Sequence, residues 1–390
     1  MTLTGDVLVV GASVASGAFV AQLREDGFEG RVLVVDQDPD APYDRPPLSK
    51  EFLADSAESP GAPWWHDGCE LVRGRATALD VASSTVRVEF EDGSESALAA
   101  EQIVIATGSV PVRLPGEPAG VAQLRTAADA RRIRDSVAAE RRIVILGAGT
   151  IGTELASSLT LAGAQVSLVD LTDNPLDRFL CGHLGAEAAA WIRDAGVSLH
   201  LGSRVEGVLK QSGGWRVVTD SAELSADLVV SAVGTRPATA WLAGSGLDVA
   251  DGVRCDDEGT VLDTSGSPVS GVRAIGDVSA WGLIGAGARR CEDWTNAQRQ
   301  GRSVARALLG KNPVHMDAEP AYFWSHQFGR KIQVLGHPDR EATLVQHVDE
   351  PHRKAAFYTL ERGAETVAWI AINTPREFAM AMRKSIQALG

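Results

Sequence analysis

The sequence predicts an α/β protein with two doubly wound dinucleotide-binding domains and a smaller C-terminal α+β domain. First, an apolar run, a glycine turn and a helical pattern occur in that order twice, at residues 7–24 and 143–162. Second, each of these patterns is followed by another apolar run that ends in an acid. Third, short alternating strands replace this pattern after residue 311.

The first module begins with four apolar residues, 7–10, which are typical of a strand buried in a parallel sheet. They lead into Gly11 and a helical pattern through Arg24, and the next apolar run, residues 32–35, ends at Asp36. This order places a pyrophosphate at a helix N-terminus and a ribose at the acid.

The glycine fingerprint of this first module is incomplete. Ser13 and Ser16 stand where the second and third glycines of G-x-G-x-x-G are expected. Taken alone, the module is therefore as consistent with an ordinary strand–turn–helix as with a dinucleotide site.

The second module carries the complete fingerprint, at Gly147, Gly149 and Gly152. A helix is expected over residues 153–162, and a strand over 165–169 ends at Asp170, which lies 23 positions after Gly147. An acid at this spacing binds the ribose of a dinucleotide. Because a carboxylate accepts from a 2′-hydroxyl and repels a 2′-phosphate, Asp170 favours NAD over NADP.

Each module closes with a strand that runs into a glycine turn, at residues 103–108 and 227–234. A third short strand, residues 271–277, ends in Gly276 and Asp277. A parallel strand that ends in this way delivers its turn to the ligand at the edge of the sheet. An acid such as Asp277 can bind a polyol hydroxyl there.

The proline-rich loop at residues 41–50 has two interpretations. Its prolines exclude a regular helix across it, and Ser49 is expected to cap a short helix over residues 50–54. It is either a surface connector or a loop folded over a ligand, to which Arg45 and Lys50 would supply positive charge.

A helix is predicted from about residue 293 to about residue 309, with Asp293 or Thr295 as its N-cap. Arg299, Arg302 and Arg306 fall at i, i+3 and i+7, so they share one face. This face is either simply solvated or a docking patch for an acidic protein.

The C-terminal segment begins with an aromatic-dense stretch, which is interpreted as core or as a lid over the cofactor site. Four antiparallel strands and a final helix are expected to follow. The stretch, the four strands and the helix are residues 322–328, 331–335, 342–347, 355–360, 367–372 and 375–389.

Charge and length limit the functions that are open to the chain. The formal net charge is −14, so its overall charge does not favour nucleic acid or an anionic membrane. The first strand starts by residue 7, which leaves no room for a signal peptide, and no apolar run approaches the roughly 20 residues of a membrane span. A cytoplasmic protein is expected.

The four cysteines, Cys69, Cys181, Cys255 and Cys291, lie far apart and form no C-x-x-C or C-x4-C pattern. A metal cluster or a redox-active disulfide is therefore not expected, and free thiols in a reducing cytosol are the simplest interpretation.

Together these motifs resemble the flavin-dependent ferredoxin reductases that serve oxygenase systems, which have the glutathione reductase fold. The resemblance covers nearly the whole chain. Its most specific marks are Tyr43-x-Arg-Pro-Pro-Leu-Ser-Lys50 and Tyr322-Phe-Trp-Ser-x-Gln-Phe328, and residues 264–277 match the family's second flavin motif. It implies an FAD domain at 1–110 and 235–312, an NAD domain at 111–234 and a C-terminal domain at 313–390.

The resemblance also implies the residues that would contact FAD. The pyrophosphate, the adenosine, the flavin ring and the ribityl chain would be bound by Gly11, Ser13, Val14, Ala15, Ser16, Asp36, Gln37, Arg45, Lys50, Ala76, Ala106, Thr107, Gly108, Arg125, Gly276, Asp277, Asp293, Trp294 and Thr295. Of these, Lys50 would lie at the edge of the isoalloxazine ring and Trp294 at its pyrimidine end.

For NADH, the resemblance implies a site on the second module. Its members are Gly147, Gly149, Thr150, Ile151, Gly152, Asp170 and Gly234. The catalytic pair would be Lys50 and Glu154, since Glu154 would approach both the nicotinamide and Lys50.

The electron acceptor is inferred from what the sequence lacks. Disulfide reductases of this fold need a cysteine pair near the flavin, and oxidases often use a cysteine near residue 40, but no cysteine precedes Cys69. The remaining route for the electrons is one-electron transfer to a [2Fe-2S] ferredoxin. This ferredoxin would feed a cytochrome P450 or a Rieske oxygenase. An NADH oxidase, a rubredoxin reductase and a non-catalytic NADH-sensing flavoprotein are the alternatives.

The ferredoxin is expected to dock on a basic patch, and the reductase is expected to be a monomer. The patch comprises Arg289, Arg290, Arg299, Arg302 and Arg306.

Overall fold

The computed structural model of the chain describes residues 3–54, 61–137, 141–282, 290–314 and 320–389. The α-helices of these residues are α1 (Val14–Glu25), α2 (Glu51–Ala54), α3 (Ala127–Ser136), α4 (Thr150–Leu161), α5 (Gly185–Asp194), α6 (Trp294–Leu308) and α7 (Pro375–Leu389). Within these ranges, none of the helices combines the length and the apolarity that a membrane crossing needs.

The same residues form 25 strands, and most of them follow one another along the chain without an α-helix between them. They are β1 (Leu3–Val10), β2 (Val32–Asp36), β3 (Glu70–Arg73), β4 (Arg75–Asp80), β5 (Thr85–Glu89), β6 (Glu95–Ile105), β7 (Ser109–Pro111), β8 (Ala122–Gln123), β9 (Arg142–Leu146), β10 (Gln165–Val169), β11 (Ser198–His200), β12 (Val205–Gln211), β13 (Gly214–Thr219), β14 (Glu223–Ala226), β15 (Leu228–Ser231), β16 (Thr235–Pro237), β17 (Val253–Cys255), β18 (Thr260–Leu262), β19 (Pro268–Ala274), β20 (Ser279–Trp281), β21 (Tyr322–Gln327), β22 (Arg330–Gly336), β23 (Thr343–Glu350), β24 (Ala355–Arg362) and β25 (Glu365–Ile372).

The chain divides into two compact units, each made of three separate segments. The first unit comprises Met1–Asp44, Gly61–Val110 and Arg236–Ala318. The second unit comprises Arg45–Pro60, Pro111–Thr235 and Glu319–Gly390. The three functional domains expected from the sequence are a different division, and their boundaries stay a prediction.

The core of the first unit is a parallel sheet in the order β3-β2-β1-β6-β19. Its central strand β1 pairs Val9 with Val34 on one side and with Val104 on the other. These residues are fully buried, as the continuous apolar runs of the sequence predict for strands covered on both faces. The antiparallel strands β4 and β5 extend the sheet from β6.

The second unit has the parallel sheet β11-β10-β9-β15-β8, in which the first four strands repeat this order and β8, which precedes β9 in the chain, is the fifth. In both units a helix follows the central strand, and the next strand of the chain pairs beside it. Ligands of such sheets bind outside the carboxyl ends of the strands, where the strand order reverses. In this chain those points are the ends of β1 and β6 in one unit and of β9 and β15 in the other.

The C-terminal part of the second unit is an antiparallel sheet, β21-β22-β25-β24-β23, followed by α7. The four predicted strands and the final helix are present. The aromatic stretch is a fifth strand, β21, whose Tyr322 and Trp324 rings stack with centroids 5.4 Å apart. The sheet shares a hydrophobic core with Leu176, Leu180 and Leu184.

Two local expectations were wrong. The proline-rich loop contains a 3-10 turn, Pro46–Ser49, and Ser49 ends this turn instead of capping the short helix. The helix after the second glycine fingerprint begins at Thr150, earlier than expected, because Gly149 is its N-cap and Gly152 is helical.

The packing of α6 on α1 yields a stability prediction. A Cβ at Gly301 would lie 2.4 Å from the carbonyl oxygen of Ala15, so a side chain there forces the two helices apart. We expect Gly301→Ala to lower the free energy of unfolding by about 1–3 kcal/mol. The matched control is Gly207→Ala on β12, where a Cβ would meet nothing within 4 Å. Urea midpoints of the two variants test this, and equal midpoints would contradict the packing.

Candidate active site

The turn after β1 brings two strand ends into close contact. Gly11 has φ +107°, and its N–H donates to the Val35 carbonyl oxygen at 2.7 Å. A Cβ at Gly11 would lie 2.4 Å from the Ala106 carbonyl oxygen, beyond the end of β6. Only glycine combines this left-handed φ with this approach.

The two serines of the incomplete fingerprint cap helix α1. The Ser13 N–H donates to the Ser16 Oγ at 2.7 Å, and the Ser16 N–H donates to the Ser13 Oγ at 3.5 Å, so the pair forms a reciprocal capping box. Both hydroxyls are therefore engaged in hydrogen bonds at the N-terminus of the helix. Of the N-terminal donors that a helix leaves unpaired, the N–H groups of Val14 and Ala15 remain for an anion.

Gly276, Asp277 and Thr107 are held by neighbours within the first unit. The Gly276 N–H donates to the buried Gln300 Oε1 at 2.7 Å. The Asp277 Oδ2 accepts from the Ser109 hydroxyl at 3.2 Å, and the Thr107 hydroxyl donates to a backbone carbonyl at 3.0 Å. The three predicted cofactor residues are thus fixed by polar contacts and do not depend on apolar packing alone.

Asp44 is a residue of this region that the sequence did not single out. Its Oδ1 accepts from the Trp64 indole at 3.2 Å and from the Trp294 indole at 2.9 Å. Trp64 packs against Gly17 of α1, where a Cβ would lie 2.5 Å from the indole ring. Asp44 thereby links this indole to the first turn of α6.

Asp293 is the N-cap of α6, as one of the two sequence alternatives predicted. Its Oδ1 accepts from the Asn296 N–H at 2.6 Å. Thr295 lies in the first turn of the helix. Among the other predicted FAD residues, Asp36 ends β2 with Arg73 3.9 Å away, and Gln37 is exposed.

The remaining predicted FAD residues are placed by their elements. Ala76 lies on β4, Gly108 precedes β7, and Arg45, Lys50 and Arg125 belong to the second unit.

The turn after β9 repeats the geometry of the first turn. Gly147 has φ +104°, and its N–H donates to the Val169 carbonyl oxygen at 2.7 Å. A Cβ at Gly147 would lie 2.4 Å from the Ala232 carbonyl oxygen. Gly234, which follows β15, also has a positive φ, of +117°. The sequence likeness between the two modules is therefore a likeness of backbone geometry.

The other two glycines of this fingerprint meet different requirements. A Cβ at Gly152 would lie 1.9 Å from the Gly147 carbonyl oxygen, so glycine is needed for the fold. A Cβ at Gly149 would meet nothing within 4 Å, and no side chain caps α4 there. Gly149 thus leaves open space beside the N–H groups of Thr150 and Ile151, where a pyrophosphate would approach.

Asp170, at the end of β10, is oriented by hydrogen bonds to the same turn. Its Oδ2 accepts from the Ala148 N–H, and its Oδ1 accepts from the N–H and hydroxyl of Thr172 at 2.7 and 2.8 Å. The acid is therefore fixed beside the glycine turn, as a ribose contact requires.

Lys50 and Glu154 form a buried ion pair within the second unit. The Lys50 Nζ lies 2.6 Å from the Glu154 Oε2, and the two side chains are only 13% and 5% exposed. The carboxylate also accepts from the Ser49 and Ser325 hydroxyls at 2.5 and 2.6 Å. Burial of both charges is tolerated because each is paired and hydrogen-bonded.

The ammonium of Lys50 has three acceptors in this arrangement. They are the Glu154 Oε2, the Pro46 carbonyl oxygen at 2.9 Å and the Ser49 Oγ at 3.2 Å. Because a lysine ammonium has three donors, its orientation is set by the 3-10 turn and by α4. No sequence pattern had predicted that Ser49 and Ser325 would donate to the Glu154 carboxylate.

Three of the four cysteine thiols have raised pKa values. Burial raises the pKa of Cys69 to about 11, and burial also raises the pKa of Cys255 and of Cys291. A thiol with a raised pKa carries little thiolate near neutral pH and is a poor nucleophile.

The predicted docking arginines differ in how their charges are used. Arg290 pairs with Asp251 at 3.1 Å and with Glu292 at 2.9 Å, and Arg306 lies 3.7 Å from Asp26. Arg302 is exposed, Arg299 is partly buried, and Arg289 lies outside the described residues. The docking patch stays a prediction, in which Arg302 contributes the most accessible charge of those described.

The family model for pyridine nucleotide-disulphide oxidoreductases matches residues 5–301. The chain belongs to this family. A second model, for the reductase C-terminal region, matches residues 322–389 of this oxidoreductase.

Similar proteins cover nearly the whole oxidoreductase. The ferredoxin reductase component of chlorobenzene dioxygenase from Cupriavidus sp. (strain PS12) is 34% identical over 97% of this chain and 91% of its own. The benzene 1,2-dioxygenase system ferredoxin–NAD(+) reductase subunit of Pseudomonas putida is 32% identical over 98% and 92%. Putidaredoxin reductase, in its covalent complex with putidaredoxin, is 26% identical over 98% and 93%, with a TM-score of 0.86.

These likenesses confirm the resemblance and the fold class inferred from the sequence motifs. Membership of the family implies that the oxidoreductase uses a flavin and NAD(P)H.

Two of the three fingerprint glycines of the second module make a prediction that separates binding from folding. Gly149→Ala should fold normally and lose roughly tenfold or more in NADH affinity, because its methyl group would occupy the approach of the pyrophosphate. Gly152→Ala should lose stability instead, since no position of the Cβ avoids the Gly147 carbonyl. NADH titration and thermal unfolding of both variants check this. A Gly149→Ala protein with unchanged NADH affinity would contradict it.

Proposed function

We propose that this oxidoreductase takes a hydride from NADH onto a tightly bound FAD and passes single electrons to a [2Fe-2S] ferredoxin. The ferredoxin in turn feeds a cytochrome P450 or a Rieske oxygenase. The observation that carries the proposal is the repeated turn geometry at Gly11 and Gly147, which supports two dinucleotide sites in one chain. FAD would bind through residues 1–110 and 235–312, and NADH through 111–234.

The first module fits FAD because it offers backbone N–H donors and lets the backbone come close to the ligand. Val14 and Ala15 offer N–H groups to a pyrophosphate, and Asp36 stands at the strand end where a ribose hydroxyl would donate to it. Asp277 would accept from the ribityl chain, and Trp294, held by Asp44, would lie at the pyrimidine end of the ring.

When bound, a flavin supplies the conversion between two-electron and one-electron transfer, because it accepts a hydride and returns its electrons singly. The chain contributes orientation and charge. Lys50 would place its ammonium at the edge of the ring, where it offsets the negative charge that arrives with the hydride. Glu154 keeps that ammonium fixed and prevents a lone buried charge.

The ferredoxin partner is supported by the similar proteins, which are named as ferredoxin reductase components of dioxygenases and as a reductase in complex with putidaredoxin. The sequence agrees, since no cysteine precedes Cys69 and no pair of cysteines is spaced for a redox disulfide.

We also propose that the reductase is a monomer. Light scattering after gel filtration measures its oligomeric state.

The decisive experiment is spectroscopic. The protein should be yellow, bleach on anaerobic mixing with NADH, and turn over rapidly only when a [2Fe-2S] ferredoxin is added. Rapid oxygen consumption without ferredoxin would favour an oxidase. A long-lived charge-transfer band without turnover would favour a sensor.

The role of Asp170 predicts the cofactor preference. Asp170→Asn removes the negative charge and keeps an acceptor oxygen, so we expect the preference for NADH over NADPH to fall roughly tenfold or more. Asp173→Asn, an exposed acid three positions later, is the control and should leave the preference unchanged. The measurement is kcat/KM for both nucleotides. A wild-type protein that prefers NADPH would contradict the role of Asp170.

The docking patch predicts a salt-dependent partner interaction. Arg302→Ala should raise the KM for ferredoxin roughly two- to fivefold at low ionic strength, and this difference should vanish in high salt. Arg306→Ala should have a smaller effect, because Arg306 already faces Asp26. If Arg302→Ala behaves as wild type in low salt, docking does not use this face.

A further inference from the structure

Helix α4 carries three polar side chains at i, i+3 and i+4, so they lie on one face. The Ser158 hydroxyl donates to the Ser49 carbonyl oxygen at 2.8 Å, and the Ser157 Oγ accepts from the Phe328 N–H at 2.7 Å. Glu154 is the third. This face therefore binds the 3-10 turn before Lys50 and the end of β21 at the same time.

Ser325 of β21 completes the surroundings of the Glu154 carboxylate. Ser325 is fully buried, and its Oγ lies 2.6 Å from the Glu154 Oε1. The Gln327 Nε2 donates to the same Oγ at 2.9 Å. Because a lone pair of the hydroxyl is engaged by Gln327, its proton is directed at the carboxylate.

The two carboxylate oxygens of Glu154 are thereby divided between two sets of donors. Oε1 accepts from Ser325, whereas Oε2 accepts from Lys50 and Ser49. This division fixes the rotation of the carboxylate about its last bond. Without the Ser325 hydroxyl, both oxygens can turn toward the ammonium, and the Lys50 Nζ can follow them.

We infer that Ser325 is a positioning residue for the hydride step, which rests on the proposed function. It acts through Glu154: its hydroxyl holds Oε1, so that Oε2 holds the Lys50 ammonium in the orientation that the flavin requires. The C-terminal sheet thus contributes to the chemistry through a residue that contacts the Glu154 carboxylate.

The first test uses apoprotein and needs no flavin. Thermal unfolding is measured for Ser325→Ala, for Glu154→Leu, whose side chain accepts no hydrogen bond from Ser325, and for the double variant. If Ser325 acts through Glu154, the double variant is about as stable as the less stable single variant, because the second change removes a contact already lost. Additive losses would overturn the inference, since they would mean that the two side chains are not coupled.

The second test follows anaerobic single-turnover reduction of the flavin-loaded protein by NADH. We expect Ser325→Ala to slow reduction at saturating NADH roughly tenfold while the NADH dissociation constant stays within about twofold. In the Glu154→Leu background, where Ser325 has no acceptor at position 154, the same change should have no further effect. Ser385→Ala is the control, since Ser385 is also buried, lies on α7 and donates only to the Met382 carbonyl oxygen at 2.9 Å in the described structure.

A purely structural role for Ser325 predicts a different result. Stability would fall as in the control variant, while the reduction rate and the flavin midpoint potential would remain those of wild type, and this would overturn the inference. We expect instead that the midpoint potential becomes more negative as the ammonium is less firmly placed. A wild-type protein that NADH does not reduce would refute the proposed function itself, which is distinguishable from a fast Ser325→Ala variant.

Discussion

The architecture depends on a close backbone contact that occurs twice. At Gly11 and again at Gly147, a left-handed residue lets a strand end meet the next parallel strand, with 2.4 Å from the missing Cβ to a carbonyl oxygen in both turns. The hydrogen bonds also match, at 2.7 Å to Val35 and to Val169. Any side chain at either glycine would separate the strands at the point where their carboxyl ends form the crevice. The helix N-terminus can be directed at a ligand there only because no side chain at the glycine forces the strand ends apart.

The two turns differ in how their helices begin, and this difference has a physical consequence. Ser13 and Ser16 cap α1 reciprocally, so that turn keeps its shape without a ligand. No side chain caps α4 at Gly149, and its first N–H groups rely on solvent or ligand for partners. A turn that is already ordered loses less conformational entropy when it binds. A capped first site and an open second site are therefore compatible with one resident and one exchanging dinucleotide.

Much of the fold followed from local patterns, and most of the site did not. Apolar periodicity predicted β10 at its observed limits, and cap chemistry predicted Asp293 as one of two candidate N-caps of α6. The two serines were interpreted as defects of a fingerprint, although their spacing is that of a capping box. The contact of Ser325 with Glu154 joins residues 171 positions apart, and the indole pair on Asp44 joins residues up to 250 apart. Contacts of this kind depend on the assembled fold, for which a single sequence carries no local signal.

The buried carboxylate of Glu154 joins several segments of the second unit, and a gain in folding stability alone does not explain why a charged residue is used there. Moving a carboxylate out of water costs several kcal/mol, and apolar residues of similar volume commonly stabilise a core as well or better. In this unit the carboxylate takes its donors from the turn before Lys50 and from β21, while α4 supplies the acid itself. All three segments must be in place before the charge is satisfied. Since α4 also begins at the open glycine turn, the same helix that would meet the dinucleotide fixes the cation beside it. An apolar pair at these positions would hold the segments together but would leave no oriented charge for the reaction.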